Sequence, residues 1–275
     1  MFLENGRVGF IGGGAMAEAL MGGFIRAGLV GPEQIMASDV SEGRREYLGR
    51  KLGVKTVPDN LSVVSDSDIV ILSVKPFIMG EVLKEIGDHL HQNQTVISIA
   101  GGVSTGYIEQ FFKERTPVVR VMPNTPALVG AGAAAVCCGR WAGDRHCEMA
   151  LSLFKSVGLA VAVTENLMDA VTGISGSGPA YMYVIAEAMA DAGVRAGLPR
   201  ATALTLACQT MHGAARMILE TGNHPGALKD MVTTPGGTTI EGLFALEEGG
   251  LRATIGNAVE NACRRSRQLS GETKK

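Results

Sequence analysis

RVGFIGGGAMA, residues 7–17, decides the fold of this chain. Residues 7–11 are an apolar strand-like run, three glycines then turn the chain, and a helical pattern continues to about residue 27. The spacing is Gly12-x-Gly14-x-x-Ala17. The first glycine permits a tight turn, the second lets a pyrophosphate approach the backbone, and a small residue third keeps the helix close to the sheet. A glycine corner opening a helix also turns free N–H groups and the positive end of the helix dipole toward an anion. In this strand–turn–helix setting the pattern reads as a dinucleotide site. The plain alternative is a structural turn.

The same alternation continues downstream. Strands are expected at 34–38, 54–57, 68–74, 95–100 and 118–122, and helices at 42–52 and 77–90. The run 68–74, DIVILSV, is apolar with scarcely a break, as befits a strand covered on both faces. This order predicts an α/β, Rossmann-like, doubly wound parallel sheet over residues 1–164. From about residue 166 the strand signal disappears. Residues 181–196 and 201–220 are long helical patterns joined at Gly197-Leu198-Pro199. In the first, Glu187, Asp191 and Arg195 form one polar stripe while the other faces are Ala, Met, Val and Ile. An all-α domain over 165–275 cannot hide both helices alone, so a homodimer through these C-terminal helices is expected.

Charged residues make up 19% of the 275, against 46% hydrophobic, which again favours an oligomer. A net charge of −2, with no run of basic residues longer than a pair such as Arg264-Arg265, argues against nucleic acid as partner. Two uncharged runs, 121–139 and 170–186, are interrupted by proline and glycines, so no membrane span is expected. The first ten residues lack a signal pattern. The odd set Cys137, Cys138, Cys147, Cys208 and Cys263 suits free thiols and a cytoplasmic protein. His89, His91, His146, His212 and His224 are scattered, so neither a metal site nor a triad is expected.

The end of the second expected strand should choose the cofactor. Asp39 stands where an acidic residue hydrogen-bonds a ribose 2′-hydroxyl, which favours NAD. Ser38, Ser41, Arg44 and Arg45 around it suit a 2′-phosphate equally, leaving NADP open. Three further segments end strands at the same edge. Ser73-Val74-Lys75-Pro76 places Lys75 toward the cofactor or solvent, and Ile99-Ala100-Gly101 is small enough to admit a nicotinamide ring. Asn124 is either a turn cap or a hydrogen-bond partner of cofactor or substrate.

Two uncharged corners stand in the helical half. Residues 232–239, VTTPGGTT, and 175–180, SGSGPA, each combine hydroxyls with glycines at a helix start. Two such corners favour a small carboxylate over a phosphate or polymer. Thr239 reads as a substrate contact or simply as a helix cap.

On GFIGGGAMAEAL, SVKP, MPNTP, DAVTGISGSGPAY and KDMVTTPGGTTIEGLFALEEGGLR, the chain resembles the pyrroline-5-carboxylate reductases across about residues 6–270. The resemblance implies an N-terminal Rossmann domain, interlocking C-terminal helices and assembly of dimers into a decamer. By motif it carries Gly9, Phe10, Ile11, Gly12, Gly13, Gly14, Ala15, Met16, Ser38, Asn60, Ser73, Val74, Lys75, Pro76, Ile99, Ala100 and Gly101 to the cofactor. It carries Glu165, Ser175, Gly176, Ser177, Gly178, Thr238 and Thr239 to the substrate. Asp39 departs from the family, which often has an uncharged residue there, and Met231 replaces a polar contact of some members. The implied reaction is hydride transfer from NADPH or NADH to a C=N bond, giving proline. A protonated imine is already electrophilic, and the corners hold no His, Lys or Cys acid. Thr239 would hydrogen-bond the ring nitrogen. A hydroxyacid dehydrogenase is the first rival, but it should carry a lysine within 166–196, where there is none. A non-catalytic nucleotide sensor is the second.

Overall fold

The computed structural model describes residues 6–272, with side chains through 269. Residues 1–5, which bear on the N-terminal signal reading, and 273–275 lie outside the described residues. The first unit alternates β1 (Val8–Ile11), α1 (Ala15–Arg26), β2 (Ile35–Ser38), α2 (Glu42–Leu52), β3 (Lys55–Val57), α3 (Asn60–Ser65) and β4 (Ile69–Leu72). It continues through α4 (Met79–Ile86), β5 (Thr95–Ser98), α5 (Thr105–Glu109), β6 (Val118–Met122), β7 (Gly132–Cys138), α6 (Asp144–Lys155), β8 (Gly158–Ala162) and α7 (Met168–Val171).

The eight strands lie in the order β3-β2-β1-β4-β5-β6-β7-β8. Strand order reverses between β1 and β4, the place where open α/β sheets bind ligands beyond their carboxyl ends. Pairing is parallel except between β6 and β7, where Val121 faces Val136 antiparallel. A Gly/Ala-rich stretch offers little strand signal, and β7 and β8 were not expected from the sequence; nor were α3, α5 and α6. The helix expected over 77–90 is α4 flanked by 3-10 turns at Pro76–Ile78 and Gly87–His89. Pro76 is responsible at the start, since its ring fixes φ and suits a first turn.

Both faces of the central strands are buried. On one, Phe10, Leu20, Phe24, Ile71 and Phe154 share a core, with Phe24 edge-on to Phe154 at 6.3 Å between ring centroids. On the other, Val70, Leu72, Met79, Leu83, Val96 and Ile108 pack together. Cys138, at the end of β7, and Cys147 of α6 form a disulfide, with Cα atoms 6.1 Å apart. This corrects the expectation of five free thiols. Cys137, Cys208 and Cys263 are free.

The second unit is Gly178–Val259, and the first takes back the chain from Glu260. The sequence placed a boundary at 164/165, whereas these compact units part at Ser177/Gly178. The second unit holds α8 (Gly178–Arg195), α9 (Arg200–Thr221), α10 (Pro225–Met231), α11 (Thr238–Glu248) and the start of α12 (Leu251–Glu272). Helices α8 and α9 pack closely: a Cβ added at Gly193 would lie 3.0 Å from the Ala203 methyl. Yet Tyr183, Val184, Leu206 and Leu219 are exposed on them in the single chain. Among the described residues no helix is long and apolar enough to cross a membrane.

Candidate functional site

Three glycines at the carboxyl end of β1 build the first corner. Gly12 has φ +95°, and a Cβ there would press on the Ser73 carbonyl and Val74, both at 3.0 Å. Its N–H donates to the Ser38 carbonyl at 2.9 Å, and Ser73 Oγ donates to the Gly12 carbonyl at 2.6 Å. The turn is thus held from both neighbouring strands. Gly14 caps α1 with no side chain of its own, and an added Cβ there would meet nothing within 4 Å. An uncapped helix start facing open space fits a dinucleotide pyrophosphate. Of the expected cofactor residues, Gly12 to Met16 form this rim. Gly9, Phe10 and Ile11 lie buried in β1 beneath it.

Around the tip of β2 the side chains are already engaged. Asp39 Oδ2 accepts from the Gly13 N–H at 2.9 Å, and Oδ1 from the Ser41 N–H at 2.9 Å. Arg44 donates through Nε to the Gly13 carbonyl, and through Nη2 to the Gly14 carbonyl at 3.2 Å and Glu18 at 2.5 Å. Burial would raise the Glu18 pKa, but hydrogen bonds from Lys51, Arg44 and Tyr47 outweigh it and bring it below the usual range. Ser38 is 1% exposed and donates to Asn60 Oδ1 at 2.7 Å, so its hydroxyl is turned into the fold. Asn60 Nδ2 in turn donates to Glu85 at 2.7 Å.

Along the same edge Lys75 is exposed and Ala100 is buried. An open cleft of about 520 Å³ has Pro76, Phe77, Gly101, Tyr107 and Lys84 among the residues that line it. Asn124 is 8% exposed: its Oδ1 accepts from the Ala133 N–H at 2.8 Å and its Nδ2 donates to the Ser175 carbonyl at 3.0 Å. It ties β7 to the segment after α7 and neither caps its own turn nor points to solvent.

Glu165 anchors a network that the sequence reading missed. Its Oε1 accepts from Arg120 Nη1 at 2.6 Å, while Oε2 accepts from Thr105 Oγ1 at 2.8 Å and from the Cys137 thiol at 3.4 Å. Arg120 is 3% exposed, and its Nε and Nη2 have no hydrogen-bond partner among the described residues. Burial would raise the Glu165 pKa, but the Thr105 and Arg120 hydrogen bonds and the Arg120 charge bring it below the usual range. Burial, then the neighbouring Glu165 charge, push the Cys137 thiol up to about 12. The available signal was the arginine inside VVRVM, since a charge on a buried strand needs a partner.

The corner expected at residues 175–178 differs from a loop nest. Thr172–Gly176 form a π-helical turn continuing α7, with the Ser177 N–H donating to the Thr172 carbonyl at 2.8 Å. Ser175 Oγ donates to the Val171 carbonyl at 3.1 Å. Helix α8 starts at Gly178, and a helix start leaves its first N–H groups without intrahelical partners.

In the second unit, Gly236 takes φ +67° and Gly237 caps α11, its N–H donating to the Thr234 carbonyl at 3.0 Å. Thr238 and Thr239 are therefore the first two helical residues, and the reading of Thr239 as the helix cap is set aside. Its hydroxyl makes no hydrogen bond among the described residues. Among those residues no group of three His, Cys, Asp or Glu is placed to hold a metal.

Comparison with known proteins matches residues 165–269 to the family model for pyrroline-5-carboxylate reductase dimerisation. Residues 7–102 match one described as NADP oxidoreductase, coenzyme F420-dependent. The pyrroline-5-carboxylate reductase of Methanosarcina acetivorans is 51% identical over 97% of this chain and 99% of its own. A solved pyrroline-5-carboxylate reductase from Coxiella burnetii is 37% identical, with a TM-score of 0.91 over 97% of this chain and 99% of that one. A Plasmodium falciparum pyrroline carboxylate reductase solved with NADP bound is 34% identical, with a TM-score of 0.87 over 97% and 99%.

Proposed function

Since the chain belongs to the pyrroline-5-carboxylate reductase family, we propose that its two glycine corners divide one reduction, one holding the nucleotide and the other the imine acid. The activity is hydride transfer from NAD(P)H to the C=N bond of L-1-pyrroline-5-carboxylate, giving L-proline, the last step of proline biosynthesis.

A bound reduced nicotinamide supplies the hydride. The backbone of Gly12 to Met16 holds the pyrophosphate at the start of α1, Asp39 faces the adenosine ribose, and the edge formed by Ser73 to Pro76 and Ile99 to Gly101 receives the ring. The first N–H groups of α11 and α8 hold the substrate carboxylate without a formal charge. The Thr239 hydroxyl hydrogen-bonds the ring nitrogen and fixes where its proton sits. Glu165, ionised by its neighbours, lends a negative charge that favours the protonated, electrophilic imine. No stronger acid is needed, so the rate comes from proximity and orientation.

The observation that carries this reading is the Thr239 hydroxyl, left unbonded at a helix start whose cap, Gly237, has no side chain. Thr239→Ala should lower kcat roughly 10- to 100-fold, the worth of one hydrogen bond to a charged group, while the dinucleotide Kd stays unchanged. Unchanged turnover refutes the role. A dimerisation domain is present over 165–269. Dimers through it, gathered into a decamer in the cytoplasm, complete the proposal, and light scattering of the purified chain checks the subunit number.

A further inference from the structure

At the carboxyl tip of β2, where an open α/β sheet meets the adenosine ribose, the side chain facing the glycine turn is a carboxylate. We infer that this chain takes NADH in preference to NADPH, and that Asp39 sets the choice together with Glu18, which withholds Arg44 from a phosphate. The inference rests on the dinucleotide reading of the Gly12–Gly14 turn and deepens it.

Asp39 is fixed by two backbone donors, Gly13 at 2.9 Å and Ser41 at 2.9 Å. Each oxygen keeps a second acceptor site, enough for a ribose 2′-hydroxyl. A 2′-phosphate would bring about two negative charges against a carboxylate that those donors keep from swinging away. Rescue would require a cation without a carboxylate partner, and Arg44 and Lys51 both pair with Glu18, which leaves only the charge of Arg45. Arg44 is bound to the Gly13 and Gly14 carbonyls and paired with Glu18. Arg45 donates to the Asp39 carbonyl at 2.7 Å and the Val40 carbonyl at 3.2 Å. Lys51 pairs with the other Glu18 oxygen at 2.7 Å. Ser38 is turned inward to Asn60. Glu18 thus neutralises two cations and leaves Asp39 as the charge that meets the ribose. The Plasmodium falciparum relative was solved with NADP, so family membership alone does not set this preference.

Calorimetric titration of the full-length protein with ADP-ribose and with 2′-phospho-ADP-ribose reads the choice without turnover. The unphosphorylated molecule should bind at least about tenfold tighter, and kcat/KM should favour NADH over NADPH in the same sense. Asp39→Ser should shrink the ratio to about threefold or less. Glu18→Gln should narrow it too, with Asp39 intact, by releasing Arg44. Equal binding of the two probes by the wild type, or tighter binding of the phosphorylated one, overturns the inference alone. Binding of neither overturns the dinucleotide reading with it. Because the wild-type ratio decides, a variant that unfolds does not rescue the idea.

Discussion

Replacing Glu165 by Gln removes the carboxylate that compensates Arg120 in the fold. Arg120 is 3% exposed, and Nε and Nη2 of its guanidinium have no partner among the described residues. The compensation therefore rests on the contact of Nη1 with Glu165 at 2.6 Å. Removing one partner of a fully buried pair costs about 3–5 kcal/mol. The Glu165 side chain keeps 35% of its exposure, so water screens part of the interaction. Gln also retains an acceptor for Arg120 and Thr105. These two corrections bring the expected loss to about 2–3 kcal/mol. At about 2–4 °C per kcal/mol for a unit of this size, Tm should fall by about 4–12 °C. Glu165 is held below the usual carboxylate range, so its contribution is full above the unfolded-state pKa and is lost as pH falls through the folded one. The wild-type advantage over Glu165→Gln should be flat at neutral pH and shrink below about pH 4. Circular dichroism melts at one fixed protein concentration measure both effects. A shift under about 1 °C at neutral pH refutes the reasoning, as does a gap undiminished in acid. Arg120→Met combined with Glu165→Leu should recover most of the loss, because no buried charge then lacks a partner.

Gly12→Ala should weaken dinucleotide binding at least about tenfold and cost about 1–3 kcal/mol, since φ +95° and the 3.0 Å approach of the Ser73 carbonyl leave no room for a methyl; titration and melting read the two losses. Phe154→Ala opens the core against Phe24 and should cost about 3–5 kcal/mol in denaturant unfolding. Leu206→Glu charges an apolar position of α9 that is 53% exposed in the single chain. It should shift light-scattering mass toward the monomer, and an unchanged mass would refute packing through that face.

The fold was legible where backbone preference and burial point the same way. DIVILSV could only be a covered strand, and GFIGGG could only turn into a helix. It was illegible where small residues carry the sheet. GAAAVCC of β7 has neither alternation nor bulky β-branched content, and its strand conformation comes from pairing with β6. The disulfide partner of Cys138 is equally hidden, because only the docking of α6 brings Cys147 near.

Backbone-built corners were more legible than side-chain networks. The glycine spacing at residues 12–14 announces a turn because few other residues tolerate its geometry. At residues 175–178 the helix start was legible, since α8 begins at Gly178, but the π-helical turn before it, marked by the hydrogen bond from the Ser177 N–H to Thr172, was not. Glu165 and Arg120 stand 45 residues apart, so no local pattern joins them. Their pairing still follows from chemistry. An arginine within a strand covered on both faces must meet a carboxylate, and Glu165, at the turn after β8, is the one the fold supplies. The carboxylate, 35% exposed, is then held ionised by groups buried in the fold. A lone glutamate at the surface would lack that support. The Thr105 hydroxyl and the buried arginine together hold its carboxyl below the usual carboxylate range.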